Sequence, residues 1–215
     1  MLISHTFDDK SPNEGLGRNM LDEATFSAFR DIGRDLFLRG LVSSHAGNLS
    51  VRTGATIWIT RTGAMFGRIT PEDVIEVGHV GPDPLDSRAS SELAVHRAIY
   101  GATGAGAVIH AHPPYATLLS MLQSELTPVD LEGYHVLGKV LVKNTGKAKA
   151  AGAPESARAV SEALKEHRIV LAKGHGSFAR GETLEAAYMA TSSLEASSFY
   201  LYHLLGRQGP EIPVR

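Results

Sequence analysis

The feature that most constrains the fold of this chain is an apolar run, Ala107-Val108-Ile109, that ends in His110-Ala111-His112. A short apolar run that follows a glycine turn and is followed by two prolines indicates a buried β-strand. Side chains two residues apart lie on the same face of a strand, so both imidazoles can reach one metal ion. The first prediction is therefore a buried strand with a metal site at its end.

A third histidine follows a second apolar run. Ile169-Val170-Leu171-Ala172 predicts another buried strand, which leads into Lys173-Gly174-His175-Gly176. A single His-x-His pair is more often a surface or core feature, but three imidazoles that converge from two strand ends and leave one position open are typical of catalytic zinc. His110, His112 and His175 are therefore predicted to bind one Zn²⁺ per subunit, with another divalent metal as the alternative.

The composition indicates one domain and excludes several classes of protein. The chain has 215 residues, of which 43% are hydrophobic, and no linker divides it, so we predict a single domain over residues 1–215 with irregular ends of about 20 and about 10 residues. The net charge is -2 with dispersed basic residues, which argues against nucleic-acid binding. Without cysteine, a leader-like start or a bilayer-length apolar run, we expect a cytoplasmic protein with no membrane partner.

The spacing of apolar residues elsewhere predicts alternating strands and helices. Glycine-containing turns separate the short strands in the first half of the chain. The predicted strands are Asn48–Arg52, Thr56–Thr60, Asp73–Val77, Gly106–His112, Lys139–Val142 and Ile169–Ala172, and the predicted helices are Asp22–Arg39, Ser91–Tyr100, Pro114–Gln123, Pro154–His167 and Thr183–Leu205. This pattern predicts an α/β domain in which helices cover a mixed β-sheet.

Three polar segments are suited to an anion such as a phosphate. Asn48 offers a side-chain amide, Thr62-Gly63 offers a hydroxyl and a close backbone N–H, and Ser90-Ser91 opens a predicted helix whose first N–H groups favour negative charge. Each segment alone is better explained as an ordinary turn or, for Ser91, as a helix N-cap. Together they predict a phosphate site.

These segments together resemble the class II aldolase/adducin family. The resemblance extends from about Asp22 to Leu205, and the set of segments is far more specific than any one of them. It rests on Gly47-Asn48-Leu49-Ser50, Thr62-Gly63, Ser90-Ser91-Glu92 with His96, His110-Ala111-His112-Pro113 and Gly174-His175-Gly176, which occur in the family's order.

The resemblance implies a role for each of these residues. The zinc ligands would be His110, His112 and His175, the residues that hold the substrate phosphate would be Asn48, Thr62, Gly63, Ser90 and Ser91, and the catalytic acid/base would be Glu92. It also implies a largely antiparallel sheet covered on both faces and a homotetramer with active sites between subunits. In the family, a tyrosine from the adjacent subunit protonates the leaving oxygen. Tyr134 is the candidate for that tyrosine, and Glu132 is the alternative at the same place.

The implied activity is a zinc-dependent aldolase. It would cleave a ketose 1-phosphate of the fuculose- or ribulose-phosphate type reversibly to dihydroxyacetone phosphate and an aldehyde, through a metal-stabilised enediolate. The same chemistry also serves a dehydratase, a 4-epimerase or a decarboxylase of the family, and Glu92 argues against the epimerase, in which aspartate is expected at this place. A non-catalytic adducin-like binding module is the remaining alternative, and the histidine triad argues against it.

Overall fold

The computed structural model describes residues 21–145 and 153–206, which form one α/β domain. The predicted irregular ends lie outside these residues. The α-helices of the described ranges are α1 (Glu23–Leu38), α2 (Leu93–Ala102), α3 (Pro114–Leu122), α4 (Leu131–Leu137), α5 (Pro154–Ala163) and α6 (Leu184–Leu205). The strands are β1 (Asn48–Thr53), β2 (Thr56–Thr60), β3 (Val74–Gly78), β4 (Ala107–Ala111), β5 (Glu125–Leu126), β6 (Val140–Lys143), β7 (Ile169–Ala172) and β8 (Gly176–Gly181). Within these ranges, no helix is both long enough and apolar enough to cross a bilayer.

The strands form one sheet in the order β3-β2-β1-β4-β8-β7-β6-β5. Every neighbouring pair is antiparallel except β6 and β7, which are parallel. The prediction of a mixed, largely antiparallel sheet is therefore confirmed. The strand that carries the His-x-His motif, β4, lies between β1 and β8, which brings residues from three distant parts of the sequence side by side.

Helices cover both faces of the sheet, as expected. Successive residues of a strand point to opposite faces, and in β4 Val108 and Ile109 accordingly belong to two separate apolar clusters. The cluster around Ile109 includes side chains of α1, α3 and α6, whereas the cluster around Val108 includes side chains of α2 and α5. The continuous apolar run of β4 follows from this arrangement, because a strand covered on both faces has no solvent side.

Among the strands and α-helices of the described residues, β5, α4 and β8 are not predicted by the sequence pattern. The β8 sequence Gly-Ser-Phe-Ala-Arg-Gly has two glycines and no apolar alternation, yet it forms a strand because β4 and β7 pair with it on either side. The short α4 contains Gly133, which lowers helix propensity. Asp130 caps this helix, since its Oδ2 accepts a hydrogen bond from Gly133 N at 2.7 Å.

Gly176, the first residue of β8, lies where the strand crosses the end of β4. A Cβ at this position would meet the Ala111 carbonyl oxygen and would lie 2.7 Å from His112 Cδ2. Only a residue without a side chain allows the two strands to pair this closely beside the histidines.

We expect Gly176→Ala to lower the free energy of unfolding by about 1–3 kcal/mol, since the added methyl must displace backbone or the His112 ring. Gly101→Ala is the matched control, because Gly101 is helical and its added methyl meets nothing within 4 Å. Urea denaturation of the two variants provides the comparison. Equal stability of both would contradict this account of the β4–β8 crossing.

Candidate metal centre and active site

Strand register places the first residues of the site. Asn48 of β1 is opposite His110 of β4, and His110 is opposite Phe178 of β8. Directly paired residues of neighbouring strands point to the same face, and this is the face that α2 covers. One row across three central strands therefore holds an amide, an imidazole and an aromatic ring beneath α2.

The three predicted histidines come together. Their ligand nitrogens all lie within 4.8 Å of one another, and Nε2 of His110 is 2.8 Å from Nε2 of His112. The ring centroids of His110 and His175 are 4.7 Å apart. The sequence prediction that these side chains converge is thus confirmed. The cluster opens outward, because His110 is buried, His112 is half-buried and His175 is exposed.

The hydrogen bonding of His110 fits a metal ligand. Its Nδ1 lies 2.9 Å from the Ser177 carbonyl oxygen, which can only accept, so Nδ1 carries the hydrogen and the lone pair of Nε2 points into the cluster. Phe178 stacks on the ring with centroids 4.2 Å apart. Burial lowers the pKa of His110 well below its ordinary value, which keeps the imidazole in the neutral form that a metal requires.

His110 is the most deeply buried of the three predicted ligands. It lies one residue before the end of β4 and is 1% exposed. The other two ligands do follow strands. The backbone N–H of His112 donates to the Leu41 carbonyl oxygen just beyond β4, and His175 lies in the turn between β7 and β8, next to Gly174 with φ +68°. Replacing His110 therefore disturbs the core as well as the metal site.

Glu92 approaches the histidine cluster from the start of α2. Its Oε2 lies 3.0 Å from Nε2 of His110 and accepts a hydrogen bond of 3.0 Å from Asn48 Nδ2, while its Oε1 lies 3.9 Å from Nε2 of His175. The side chain is buried. A carboxylate and three imidazole nitrogens therefore converge on one point, and such a set of acceptors and lone pairs is stable only with a cation or shared protons among them.

The residues predicted to hold phosphate fall into two groups. Thr62 lies beside Ser91, because its hydroxyl donates to the Ala89 carbonyl oxygen and accepts from the Ser91 backbone N–H at 3.1 Å. Gly63 follows with φ +72°. Asn48 is instead hydrogen-bonded to Glu92, so the structure places it at the metal cluster.

The helix after the serine pair begins later than predicted, at Leu93 rather than Ser91. The first backbone N–H groups are already used: that of Glu92 donates to the Ser90 hydroxyl oxygen and that of Leu93 donates to the Ser90 carbonyl oxygen. These two N–H groups are therefore not available to an anion, and the N-cap is Glu92 rather than Ser91.

The last two predicted residues lie on α4 and point away from the core of this chain. Tyr134 is 60% exposed, and Glu132 is also exposed. Within the isolated chain, Tyr134 is therefore not part of the packed core. The buried residue between them, Gly133, contacts the Ser197 side chain of α6, which fixes the position of the short helix.

The structure adds residues that the sequence analysis did not identify as part of the site. Ser50 and Tyr100 are buried and hydrogen-bonded in series to His96, and Glu195 accepts from the backbone N–H groups of Tyr115 and Ala116. Glu195 thereby caps α3 directly after His112. The sequence did contain one signal for Tyr100, because residues 92, 96 and 100 are spaced by four and therefore share one face of a helix. No local pattern marks Glu195.

Comparison with known proteins gives consistent results. The sequence profile of the Class II Aldolase and Adducin N-terminal domain matches residues 27–200. The chain is 35% identical over 204 residues to a methylthioribulose-1-phosphate dehydratase of Gluconobacter oxydans, an alignment that covers 87% of this chain and 95% of that protein. It is 33% identical over 168 residues to an L-fuculose phosphate aldolase of Methanococcus maripaludis, an alignment that covers 78% of this chain and 90% of that protein.

A solved structure is also similar. The L-fuculose-1-phosphate aldolase of Thermus thermophilus superimposes with a TM-score of 0.80 and 46% sequence identity, and the match covers 87% of this chain and 98% of that one. The profile match spans most of the chain and includes all three histidines and the carboxylate beside them. The protein belongs to the class II aldolase/adducin family.

Proposed function

We propose that the protein is a zinc-dependent aldolase that cleaves a ketose 1-phosphate to dihydroxyacetone phosphate and an aldehyde. The observation that carries this proposal is the position of Glu92, a buried carboxylate with its Oε2 3.0 Å from the inward-facing Nε2 of His110 in a three-histidine cluster. The 46% identity to the Thermus thermophilus L-fuculose-1-phosphate aldolase supports it. His110, His112 and His175 would hold Zn²⁺.

Each residue of the chain has a distinct task in this proposal. A divalent cation bound by the three histidines would supply Lewis-acid stabilisation of negative charge on substrate oxygens. When the C3–C4 bond breaks, its electron pair stays with the three-carbon fragment, and Glu92 delivers a proton to C3. The C4 hydroxyl loses its proton to a second group as the aldehyde forms, and Tyr134 of a neighbouring subunit is our candidate for that group.

The phosphate of the substrate would bind at the Thr62-Gly63 turn and the adjacent serine pair. Thr62 and Ser91 are already joined by a hydrogen bond, so the two segments form one preorganised pocket wall. Asn48 is hydrogen-bonded to Glu92 and therefore lies at the metal end of the site rather than in this pocket wall.

A dehydratase is the second candidate, supported by the 35% identity to the Gluconobacter oxydans methylthioribulose-1-phosphate dehydratase over 95% of that protein. Elimination needs a base to remove a proton next to the carbonyl group and an acid to protonate the departing hydroxyl group. Glu132 supplies a carboxylate on the same exposed helix as Tyr134. In this second proposal, Glu132 rather than Tyr134 would be the α4 residue that reaches the substrate.

Metal and product analysis together test the proposal. Purified protein should contain about one Zn²⁺ per chain, and it should convert L-fuculose 1-phosphate to dihydroxyacetone phosphate and an aldehyde. With 5-methylthioribulose 1-phosphate, a product that lacks one water would favour the dehydratase instead. Full activity in metal-free protein, or no conversion of either compound by zinc-loaded protein, would refute the proposal.

Glu92→Gln should reduce kcat by roughly 10²–10⁴-fold, because the amide preserves the shape of the side chain but cannot exchange protons. Zinc content should remain that of the wild type, since three imidazoles still bind the metal. Glu76→Gln, a strand carboxylate outside the site, is the control. Turnover close to wild type in Glu92→Gln would exclude Glu92 as the acid/base.

Ser91→Asp should raise KM for a ketose 1-phosphate, with kcat reduced less, because the carboxylate repels the phosphate. Ser91→Ala separates charge from the simple loss of the hydroxyl group. Steady-state kinetics of phosphorylated and unphosphorylated sugar distinguish the outcomes. If wild-type protein converts the unphosphorylated sugar equally well, no phosphate is bound at this position.

The last prediction concerns assembly. We propose a homotetramer in which α4 of one subunit completes the site of its neighbour, since Tyr134 is 60% exposed in the isolated chain. Mixing Glu92→Gln with Tyr134→Phe protein under conditions that exchange subunits should restore activity, because some interfaces then combine both intact residues. Glu132→Gln replaces Tyr134→Phe in a parallel mixture to identify which of the two residues acts.

Affinity capture of one variant through a tag that only it carries, with the other variant detected in the captured protein, confirms that hybrid oligomers have formed. Recovered activity in the Tyr134→Phe mixture, together with a Glu132→Gln enzyme of unimpaired activity, would support Tyr134 as the group that exchanges the C4 hydroxyl proton. Hybrid oligomers without recovered activity would contradict a shared active site.

A further inference from the structure

A row of buried polar side chains leads from the far end of α2 to Glu92. Tyr100 Oη lies 2.7 Å from Ser50 Oγ, and Ser50 Oγ lies 2.6 Å from His96 Nδ1. His96 Nε2 lies 2.5 Å from Asn48 Oδ1, and Asn48 Nδ2 donates to Glu92 Oε2 at 3.0 Å. None of the five residues is more than 5% exposed. We call these five residues the polar row.

The hydrogens of the polar row can be assigned from its end at Glu92. Asn48 turns its amino group toward Glu92, where Nδ2 donates to Oε2, and it therefore turns its oxygen toward His96. The hydrogen between Asn48 and His96 is then on His96 Nε2. A neutral imidazole has one N–H, so Nδ1 must accept a hydrogen bond from Ser50, and Ser50 can accept from Tyr100.

The surroundings of His96 keep it in this neutral form. It is fully buried, and burial lowers its pKa to about 3, so the ring is uncharged near neutral pH. Burial likewise raises the pKa of Tyr100, which keeps the phenol protonated and able to donate. An apolar side chain at position 96 would fill this space without desolvating a polar ring, so packing alone does not require histidine there.

We propose that His96 is a positioning residue for the Glu92 carboxylate. Its Nε2–H holds the oxygen of Asn48, so that the amino group of the same carboxamide donates to Glu92 Oε2. This contact orients the carboxylate next to Nε2 of His110 and leaves Oε1 on the side of His175. The inference rests on the proposed role of Glu92 as the acid/base.

The consequence of losing His96 follows from the shape of a carboxamide, because its oxygen and its amino group are similar in size and exchange places when the group turns by 180°. Without the Nε2–H, Asn48 can turn its Oδ1 toward Glu92, and two acceptors then face each other. The carboxylate would move away from the reacting atoms while the metal ligands and the phosphate pocket stay in place. The loss should therefore appear in kcat rather than in KM or zinc content.

A pair of variants tests the proposal. His96→Leu removes the donor at similar volume, whereas His96→Gln keeps an N–H near the position of Nε2. In zinc-loaded protein we expect His96→Leu to lower kcat by about 10²-fold, with KM changed by less than about 3-fold, because a displaced catalytic group mainly affects the chemical step. His96→Gln should recover most of that loss.

Thr191→Val is the control for the loss of a buried hydrogen bond elsewhere, since the Thr191 hydroxyl donates to the Ala187 carbonyl oxygen within α6. This variant should lose stability with little change in kcat. If His96→Leu behaves in the same way, or if His96→Gln is no better than His96→Leu, the positioning role is wrong.

A second measurement does not depend on turnover or on a folded variant. In wild-type protein labelled with ¹⁵N-histidine, His96 should show a protonated Nε2 and an unprotonated Nδ1 at pH 7. A ring protonated at Nδ1 or at both nitrogens would overturn the inference. If the wild type converts no ketose 1-phosphate, the proposed function fails, but this measurement still decides the assignment of the polar row.

Discussion

The pairing of β4 with β1 on one side and β8 on the other is the constraint on which the site depends. It places Asn48, His110 and Phe178 in one row, and it brings the Ser177 carbonyl oxygen to His110 Nδ1. A shift of the register by one residue would turn His110 to the opposite face of the sheet. The metal cluster, the tautomer of its buried ligand and the contact with Glu92 would then all be lost.

Hydrogen bonds between the buried polar groups of the site offset the cost of removing those groups from water. An unpaired polar group in the core costs about 1–3 kcal/mol, and here most donors and acceptors are matched in series from Tyr100 to Glu92. The exception is the point where Glu92 meets Nε2 of His110. Along this series the hydrogen bonding is complete up to the point where a cation would bind, and this is the arrangement expected of a preformed metal site.

Some residues of the site could be predicted from the sequence and others could not. The three histidines could be identified because strand spacing and a glycine turn mark them locally. The polar segments indicated a phosphate site, but each one alone resembled an ordinary turn or cap. Thr62 and Ser91 are separated by a long stretch of sequence, and they come together beside the bridge between Arg61 and Ala89 and through their own hydrogen bond. Glu195 caps α3 from a helix far along the sequence, and its position follows from the packing of α3 against α6.

The sequence by itself determined the elements with strong local patterns. These include α1, β2 and α6, and also β4 and β7, the two strands that lead to the histidines. Their apolar periodicity, capping residues and glycine turns act over a few residues, so they can be read locally. Only the tertiary structure decided that β8 is a strand, that α4 is a helix with an exposed Tyr134, and that Asn48 lies beside Glu92. These features depend on contacts between residues far apart in sequence, and local propensity carries no information about such contacts.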